Sequence, residues 1–164
     1  MDITLQAPLS VRPTSAEDQS FLQSLFQASN PHLYLTGLPT ETAQRLISQQ
    51  FEARQQGYRL SYPHASHDII NLSQHPISQL SLNYLQHSIH ITDLALTPEQ
   101  QQQGYGSQVI GSLKRHVRSD QNLTLSVYLN TPRAQHLYQR LGFINPTITK
   151  SCSRCSGRHS SLAE

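Results

Sequence analysis

The sequence predicts a single domain with an α/β layer arrangement, in which helices pack against a sheet. Three observations support this fold class. Some segments have apolar residues at helical spacing, whereas others have an apolar residue at every second position. No internal repeat or linker divides the chain. A length of 164 residues is sufficient for one core, and we expect the domain over residues 1–149, followed by a polar tail over 150–164.

Composition argues against several classes of protein. The formal net charge is only +2, and no basic stripe marks a nucleic-acid interface. No apolar run approaches the ~20 residues that a membrane-spanning helix needs. The first residues, Met1–Leu5, lack the basic and apolar regions of a signal peptide. We therefore expect a cytoplasmic protein that binds neither nucleic acid nor membrane.

The first half of the chain contains predicted strands and two amphipathic helices. Ser15 and Asp18 have the spacing of a capping box that opens the first helix. Gly57 is a typical residue at a helix C-terminus, and the alternation that follows it is typical of a strand. We predict a strand over 7–13, a helix from Ser15, a helix over 41–56 and a strand over 58–62 that Pro63 stops.

The second half alternates strands with helices. Residues 123–129 alternate strictly between apolar and polar, and Pro132 and Gly142 bracket a helical pattern. We predict strands over 68–73, 77–85 and 88–96, with a hairpin at 86–87 between the last two. A helix containing Val109 and Leu113, the strand over 123–129, the helix that Gly142 ends and a strand over 143–148 complete the order.

A glycine-containing loop, Gln101–Gly106, lies between a predicted strand and a predicted helix. Glycine lets the backbone approach a ligand closely, and unpaired N–H groups at a helix N-terminus bind phosphate. A Walker loop is excluded because no Gly-Lys-Ser/Thr follows, and a Rossmann fingerprint is excluded because position 109 is valine. The loop is either a pyrophosphate site or a tight turn without a ligand.

A second signature begins at Asn130, at the end of the alternating strand. It continues through Ala134 and Tyr138 to Leu141-Gly142-Phe143. Asn130 is placed either to contact a ligand or to cap the helix that follows. Tyr138 is either a site residue or a core aromatic residue.

These two signatures, in this order, resemble motifs A and B of the GCN5-related N-acetyltransferase (GNAT) superfamily. The resemblance covers residues 88–143, and Val11–Asp18 is similar to the first strand and helix of many members. It implies a three-layer fold with a mostly antiparallel mixed sheet and helices on both faces. It also implies transfer of an acetyl group from acetyl-CoA to a primary amine, without a metal, by a monomer or homodimer.

The resemblance also assigns roles to residues of this chain. Main-chain amides of 102–107 would hold the CoA pyrophosphate, and the strand over 94–96 would pair with pantetheine. Asn130 would contact the pantetheine arm, and Tyr138 would protonate the departing thiolate. The expected cofactor-binding residues are Leu94, Ala95, Leu96, Gln101, Gln102, Gln103, Gly104, Tyr105, Gly106, Ser107, Asn130, Ala134 and Tyr138.

The base that deprotonates the amine is less clearly marked. Asp93 is one candidate, although its alternation with Ile91 and Ala95 predicts that it faces away from the cleft. In the histone-acetyltransferase branch a glutamate precedes the loop glutamine by eleven positions, where this chain has His90. Our hypothesis is that water relays the proton to His90 or Asp93.

Several polar groups carry no assigned chemistry. Cys152, Cys155 and His159 do not make a structural zinc site, because no second cysteine pair is present. His64, His67 and His75 are expected in loops or on the surface. Two other functions stay open: a CoA-binding regulatory module with impaired catalysis, and an α/β domain without a CoA site.

Overall fold

The protein is described from a computed structural model over residues 3–31, 37, 39–128, 132–143 and 147–149. Its strands are β1 Leu9–Pro13, β2 Ser66–Leu72, β3 His75–Tyr84, β4 Ser88–Leu96, β5 Asn122–Tyr128 and β6 Thr147–Thr149. Its helices are α1 Gln19–Ser29, α2 Thr40–Ser61, α3 Tyr105–His116 and α4 Pro132–Arg140. Within these ranges no helix has the length and apolar character that crossing a bilayer requires.

The strands form one six-stranded sheet in the order β1-β2-β3-β4-β5-β6. Strands β1 to β4 are antiparallel neighbours, whereas β5 runs parallel to β4 and β6 parallel to β5. The predicted hairpin between β3 and β4 is confirmed, because Leu85 N–H donates to the carbonyl of Ser88 at 2.8 Å. The mostly antiparallel mixed sheet that the sequence predicted is therefore present.

Helices cover both faces of the sheet, so the fold has three layers. The alternation of side chains along β2 shows this directly, because Ile69 and Ile70 are both fully buried but on opposite faces. Ile69 packs with α1 and α2, where the rings of Phe26 and Phe51 lie 5.6 Å apart. Ile70 belongs to the larger core beneath α3, which contains Ile110.

Helix α2 is longer than predicted. Gly57 does not end it, and the predicted strand over 58–62 is wrong, because the helix continues to Ser61. A spacing of two residues between Tyr58, Leu60 and Tyr62 was interpreted as strand alternation. The structure instead uses the four-residue spacing of a helix face, with the rings of Tyr58 and Tyr62 6.1 Å apart and Leu60 exposed.

The junction of β1 and α1 is fixed by a buried carboxylate. Asp18 is only 5% exposed, and it accepts hydrogen bonds from both terminal nitrogens of Arg12 at 2.7 and 2.6 Å. It also accepts from the backbone N–H and the hydroxyl of Ser15 at 2.8 and 3.0 Å. The guanidinium of Arg12 holds the pKa of Asp18 well below its usual range. The predicted pairing of Ser15 with Asp18 is present, whereas no local pattern indicated that Arg12 would join it.

We predict that Asp18→Asn lowers the free energy of unfolding by about 2 kcal/mol at pH 7, because charged hydrogen bonds are lost. The pKa of Asp18 is lowered by folding, so its stabilisation is fully present above the pKa of the unfolded chain, about 3.9. It is lost as the pH falls through the lower folded pKa. Urea denaturation at several pH values measures this dependence. Asp120→Asn is the control, since Asp120 pairs with Arg118 on the surface and its loss should leave stability unchanged.

Candidate active site

The glycine loop enters α3 through a left-handed residue. Gly104 caps the helix with φ +87°, and Gln102 has φ +63°. The hydrogen-bond ladder of the helix begins where Gln108 N–H donates to the Gly104 carbonyl at 3.0 Å. The N–H groups of residues 105–107 therefore precede the ladder and form the positive end of the helix. This loop has the geometry of an anion site built from main chain.

Two of the loop glutamines hold the loop in place through their side chains. Gln101 donates from its amide to the Leu96 carbonyl at 3.1 Å, and Gln103 donates to the Glu99 carbonyl at 2.6 Å. The sequence left Gln101 free to donate to a ligand, but the structure uses its amide to tie the loop to the end of β4. The donors left to an anion are chiefly main-chain N–H groups.

The start of α3 lies close to both β4 and α4. A Cβ at Gly106 would lie 3.5 Å from the side chain of Leu137 and 3.8 Å from that of Leu96. The last turn of α3 also contacts the second signature. There the ammonium of Lys114 donates to the Leu141 carbonyl and lies 4.8 Å from the ring centroid of Phe143. The two predicted signatures are therefore adjacent in space.

Strand β4 separates from β5 beside this loop. The two strands pair in register from Ser88–Asn122 to Ile91–Leu125, and among the described residues of β5, Asn122–Tyr128, no pairing with β4 continues beyond Leu125. A register shift between β3 and β4 leaves Thr92 without an opposite residue, which is a β-bulge in β4. Beyond the bulge β4 continues to Leu96, while β5 pairs with β6. The segment predicted to pair with pantetheine, 94–96, thus borders a gap between two parallel strands.

The bulge also changes the direction of Asp93. Simple alternation with Ile91 predicted that Asp93 faces away from the cleft, and this expectation is wrong. The extra residue Thr92 shifts the alternation, so Asp93 faces α2 and its carboxylate accepts a hydrogen bond from Arg54 at 2.9 Å. Burial raises the pKa of Asp93, and the charge of Arg54 acts against that shift. Arg54 itself lies over the ring of Tyr58, 5.2 Å from its centroid.

Tyr138 is placed by α4 against the core under α3. Its ring meets that of Phe143 edge to face at a centroid distance of 6.0 Å. Burial raises the pKa of Tyr138, and the negative charge of Asp93 raises it further. The hydroxyl therefore stays protonated throughout the physiological range. The structure brings Tyr138 within electrostatic range of one of the two predicted bases.

His90 lies on the same sheet face as Asp93, but it is held by other groups. Its Nδ1 lies 2.9 Å from Thr124 Oγ1, its Nε2 lies 3.4 Å from Ser126 Oγ, and its ring stacks on Tyr62 at 6.4 Å. These contacts place it over the paired half of β4, before the bulge.

A cavity of about 440 Å³ lies between α2 and the sheet, with Asp93 in its wall. It is lined by Thr14, Ser15, Ala16, Gln19, Leu22, Phe51, Arg54, Gln55, Tyr58, Arg59, His67, Gln79, Ser81 and Asp93. No local pattern in the sequence marks Arg54 or Ser81, and the expectation that His67 lies in a loop or on the surface is wrong, because His67 belongs to β2 and lines the cavity. The signal for His67 was its place in β2, two residues before buried Ile69.

Some predicted groups lie outside the described residues. Asn130 and the cysteines of the tail are among them, so their predicted roles have no structural counterpart here. Among the residues that are described, no three His, Cys, Asp or Glu side chains are grouped as metal ligands would be.

Solved structures resemble this fold at low sequence identity. PaiA N-acetyltransferase from Thermoplasma acidophilum, in complex with coenzyme A, is 16% identical over 83% of this chain and 89% of its own, with a TM-score of 0.57. An acetyltransferase from Thermus thermophilus is 22% identical over 88% and 90%, also at 0.57. The ribosomal L7/L12 α-N-protein acetyltransferase RimL, in complex with coenzyme A, is 18% identical over 86% and 82%, at 0.57.

Sequence comparison gives the family directly. Among curated proteins none matches the chain in sequence. The model of the Acetyltransferase (GNAT) family matches residues 21–143, which is more than half of the chain and includes both signatures. Strands β4 and β5, the glycine loop and Tyr138 all lie within this match. The chain belongs to the GNAT family of acetyltransferases.

Proposed function

We propose that the protein transfers the acetyl group of acetyl-CoA to a primary amine of a small molecule or protein by direct attack. The observation that carries the proposal is that Tyr138 lies within electrostatic range of Asp93, a residue of β4 that lines the cavity. Donor, acid and acceptor cavity would then meet at one point of the sheet.

The donor half of the site supports coenzyme A as the carrier. Two of the structures that share the fold hold coenzyme A. In this chain the left-handed Gly104 and the N-terminus of α3 offer main-chain donors to a pyrophosphate. The open edge of β4 over 94–96 offers backbone groups to pantetheine and to the thioester carbonyl. Oxyanion stabilisation and the positioning of both reactants supply most of the rate acceleration.

Tyr138 is suited to act as the general acid. A raised pKa keeps its hydroxyl protonated, so it can protonate the thiolate when the C–S bond breaks. Of the two predicted bases, Asp93 lines the cavity, whereas His90 is held by Thr124 and Tyr62.

The cavity beneath α2 is the acceptor site in this proposal. Its volume of about 440 Å³ suits a small amine or the end of a peptide chain. Arg54 and Arg59 line it together with a single carboxylate, Asp93, which is already paired with Arg54. This balance of charge disfavours a polycationic acceptor, since no other carboxylate among the described lining residues would attract additional ammonium groups.

We predict that coenzyme A raises the melting temperature and that Gly104→Ala weakens its binding about tenfold. Alanine at φ +87° costs roughly 1–2 kcal/mol, and relaxing that strain displaces the loop amides. Thermal shift and calorimetric titration with coenzyme A measure both effects. Gly111→Ala is the matched control on the same helix, because its Cβ meets only the end of Arg115, at 3.7 Å. A chain that shows no thermal shift with coenzyme A contradicts the proposed function.

We predict that Tyr138→Phe lowers kcat about 100-fold and changes the KM for acetyl-CoA little, because it removes a proton donor but keeps the ring. Release of free thiol from acetyl-CoA in the presence of amines gives both constants. Tyr84→Phe is the control, since that ring is 36% exposed at the end of β3. Unchanged turnover in Tyr138→Phe would rule out its role as the acid.

A further inference from the structure

A row of polar side chains crosses the sheet beneath the cavity. His67 of β2 is the register partner of Ser81 of β3, and Ser81 is the register partner of Asp93 of β4. All three side chains line the cavity. Two residues along β2 on the same face, Ile69 is apolar and fully buried, whereas its register partner Gln79 on β3 is polar and also lines the cavity. We call His67, Ser81 and Asp93 the polar row.

The polar row is ordered by hydrogen bonds and by charge. Ser81 is 1% exposed, and its hydroxyl lies 2.9 Å from Nδ1 of His67. The carboxylate of Asp93 accepts a hydrogen bond from Arg54 at 2.9 Å. Burying polar groups beneath helices is costly unless each has a partner, and here each has one. In the tautomer in which Nδ1–H of His67 donates to Ser81 Oγ, Nε2 is the unprotonated nitrogen and can accept a proton.

We propose that His67 is the base that takes the proton from the acceptor amine, with Ser81 orienting its ring. This inference rests on the proposed acetyl transfer. A base works best when its pKa is near the operating pH, which suits imidazole better than a carboxylate paired with arginine. Asp93 then stabilises the imidazolium that forms.

The protons of the reaction balance through two groups. The ammonium R–NH3⁺ gives one proton to Nε2 of His67, and the neutral amine attacks the thioester carbon. The C–N bond forms and the C–S bond breaks, and the sulfur takes the proton of Tyr138. The second proton of the nitrogen returns to the Tyr138 oxygen, and His67 releases its proton to water. The products are the acetamide, free thiol and one proton.

Charged groups from other elements line the cavity together with His67. From β4 it faces Asp93, and from α2 it faces Arg54, Tyr58 and Arg59. The side chains of β3 and of the β1–α1 connection that line the cavity do not titrate. Asp68 follows His67 on β2 and points to the opposite face of the sheet.

The test measures kcat against pH with an amine that supports thiol release, chosen from putrescine, tyramine, glucosamine, lysine and a tetrapeptide with a free amino terminus. We expect the pH profile of kcat for the unaltered protein to have an acidic limb, because only a neutral imidazole can accept the proton of the amine. His67→Gln should lower kcat about 100-fold at pH 7.5 and remove the acidic limb of the plot of kcat against pH, with the KM for acetyl-CoA unchanged. His75→Gln is the control, because that side chain is exposed at the start of β3.

Ser81→Ala separates orientation from simple stability. Without the hydroxyl that contacts Nδ1, the ring loses its orientation, so kcat should fall while the KM for acetyl-CoA and the fold are unchanged. An unchanged kcat in Ser81→Ala, or an acidic limb that persists in His67→Gln, overturns the proposal. If the unaltered protein releases no thiol with any amine and shows no thermal shift with coenzyme A, the proposed function itself fails, and the role of His67 with it.

Discussion

The candidate site depends on one irregularity of the backbone, the bulge at Thr92. An extra residue there turns Asp93 toward α2, although strict alternation would send it to the opposite face. The same position marks the end of pairing between β4 and β5, so the second half of β4 borders a gap. A regular strand would place the carboxylate on the other side of the sheet. One residue thereby brings Asp93 into the wall of the cavity beneath α2.

Charge around the site is paired locally. Arg54 balances Asp93 and is itself covered by the rings of Phe26 and Tyr58, at 5.5 and 5.2 Å. Because Phe26 belongs to α1 and Arg54 to α2, the ion pair links the two helices to β4. Loss of either charged partner would leave the other charge partly buried without compensation, so helix packing and site electrostatics are coupled here.

The glycine loop offers main-chain N–H groups and few cationic side chains to the anion that we propose it binds. Two of its glutamines bind main-chain carbonyls, and Gly104 adopts the left-handed conformation that orients α3. Fixed N–H dipoles at a helix N-terminus do not need to be reordered when an anion arrives. Binding through such groups depends less on salt than binding through exposed lysine or arginine side chains.

Much of this protein is determined by local sequence. The α/β class, the hairpin at 86–87 and the helix after Gly104 follow from local patterns that act over a few residues, and the resemblance of the two signatures to a family implied the three-layer arrangement. The continuation of α2 through Gly57 was decided by tertiary packing, because Tyr58 meets Arg54 and Thr92 only after the helix docks on the sheet.

The candidate site also depends partly on local sequence and partly on tertiary structure. The sequence identified Tyr138, Asp93 and the loop by themselves, since each stands in a recognisable local pattern. It did not show that His67 and Ser81 join Asp93 beneath α2, or that Asp93 faces that helix. Those relations join residues as far apart as 67 and 93, and they depend on strand register and on a single bulge. Register is fixed by contacts across the whole sheet, so only the tertiary structure decides it.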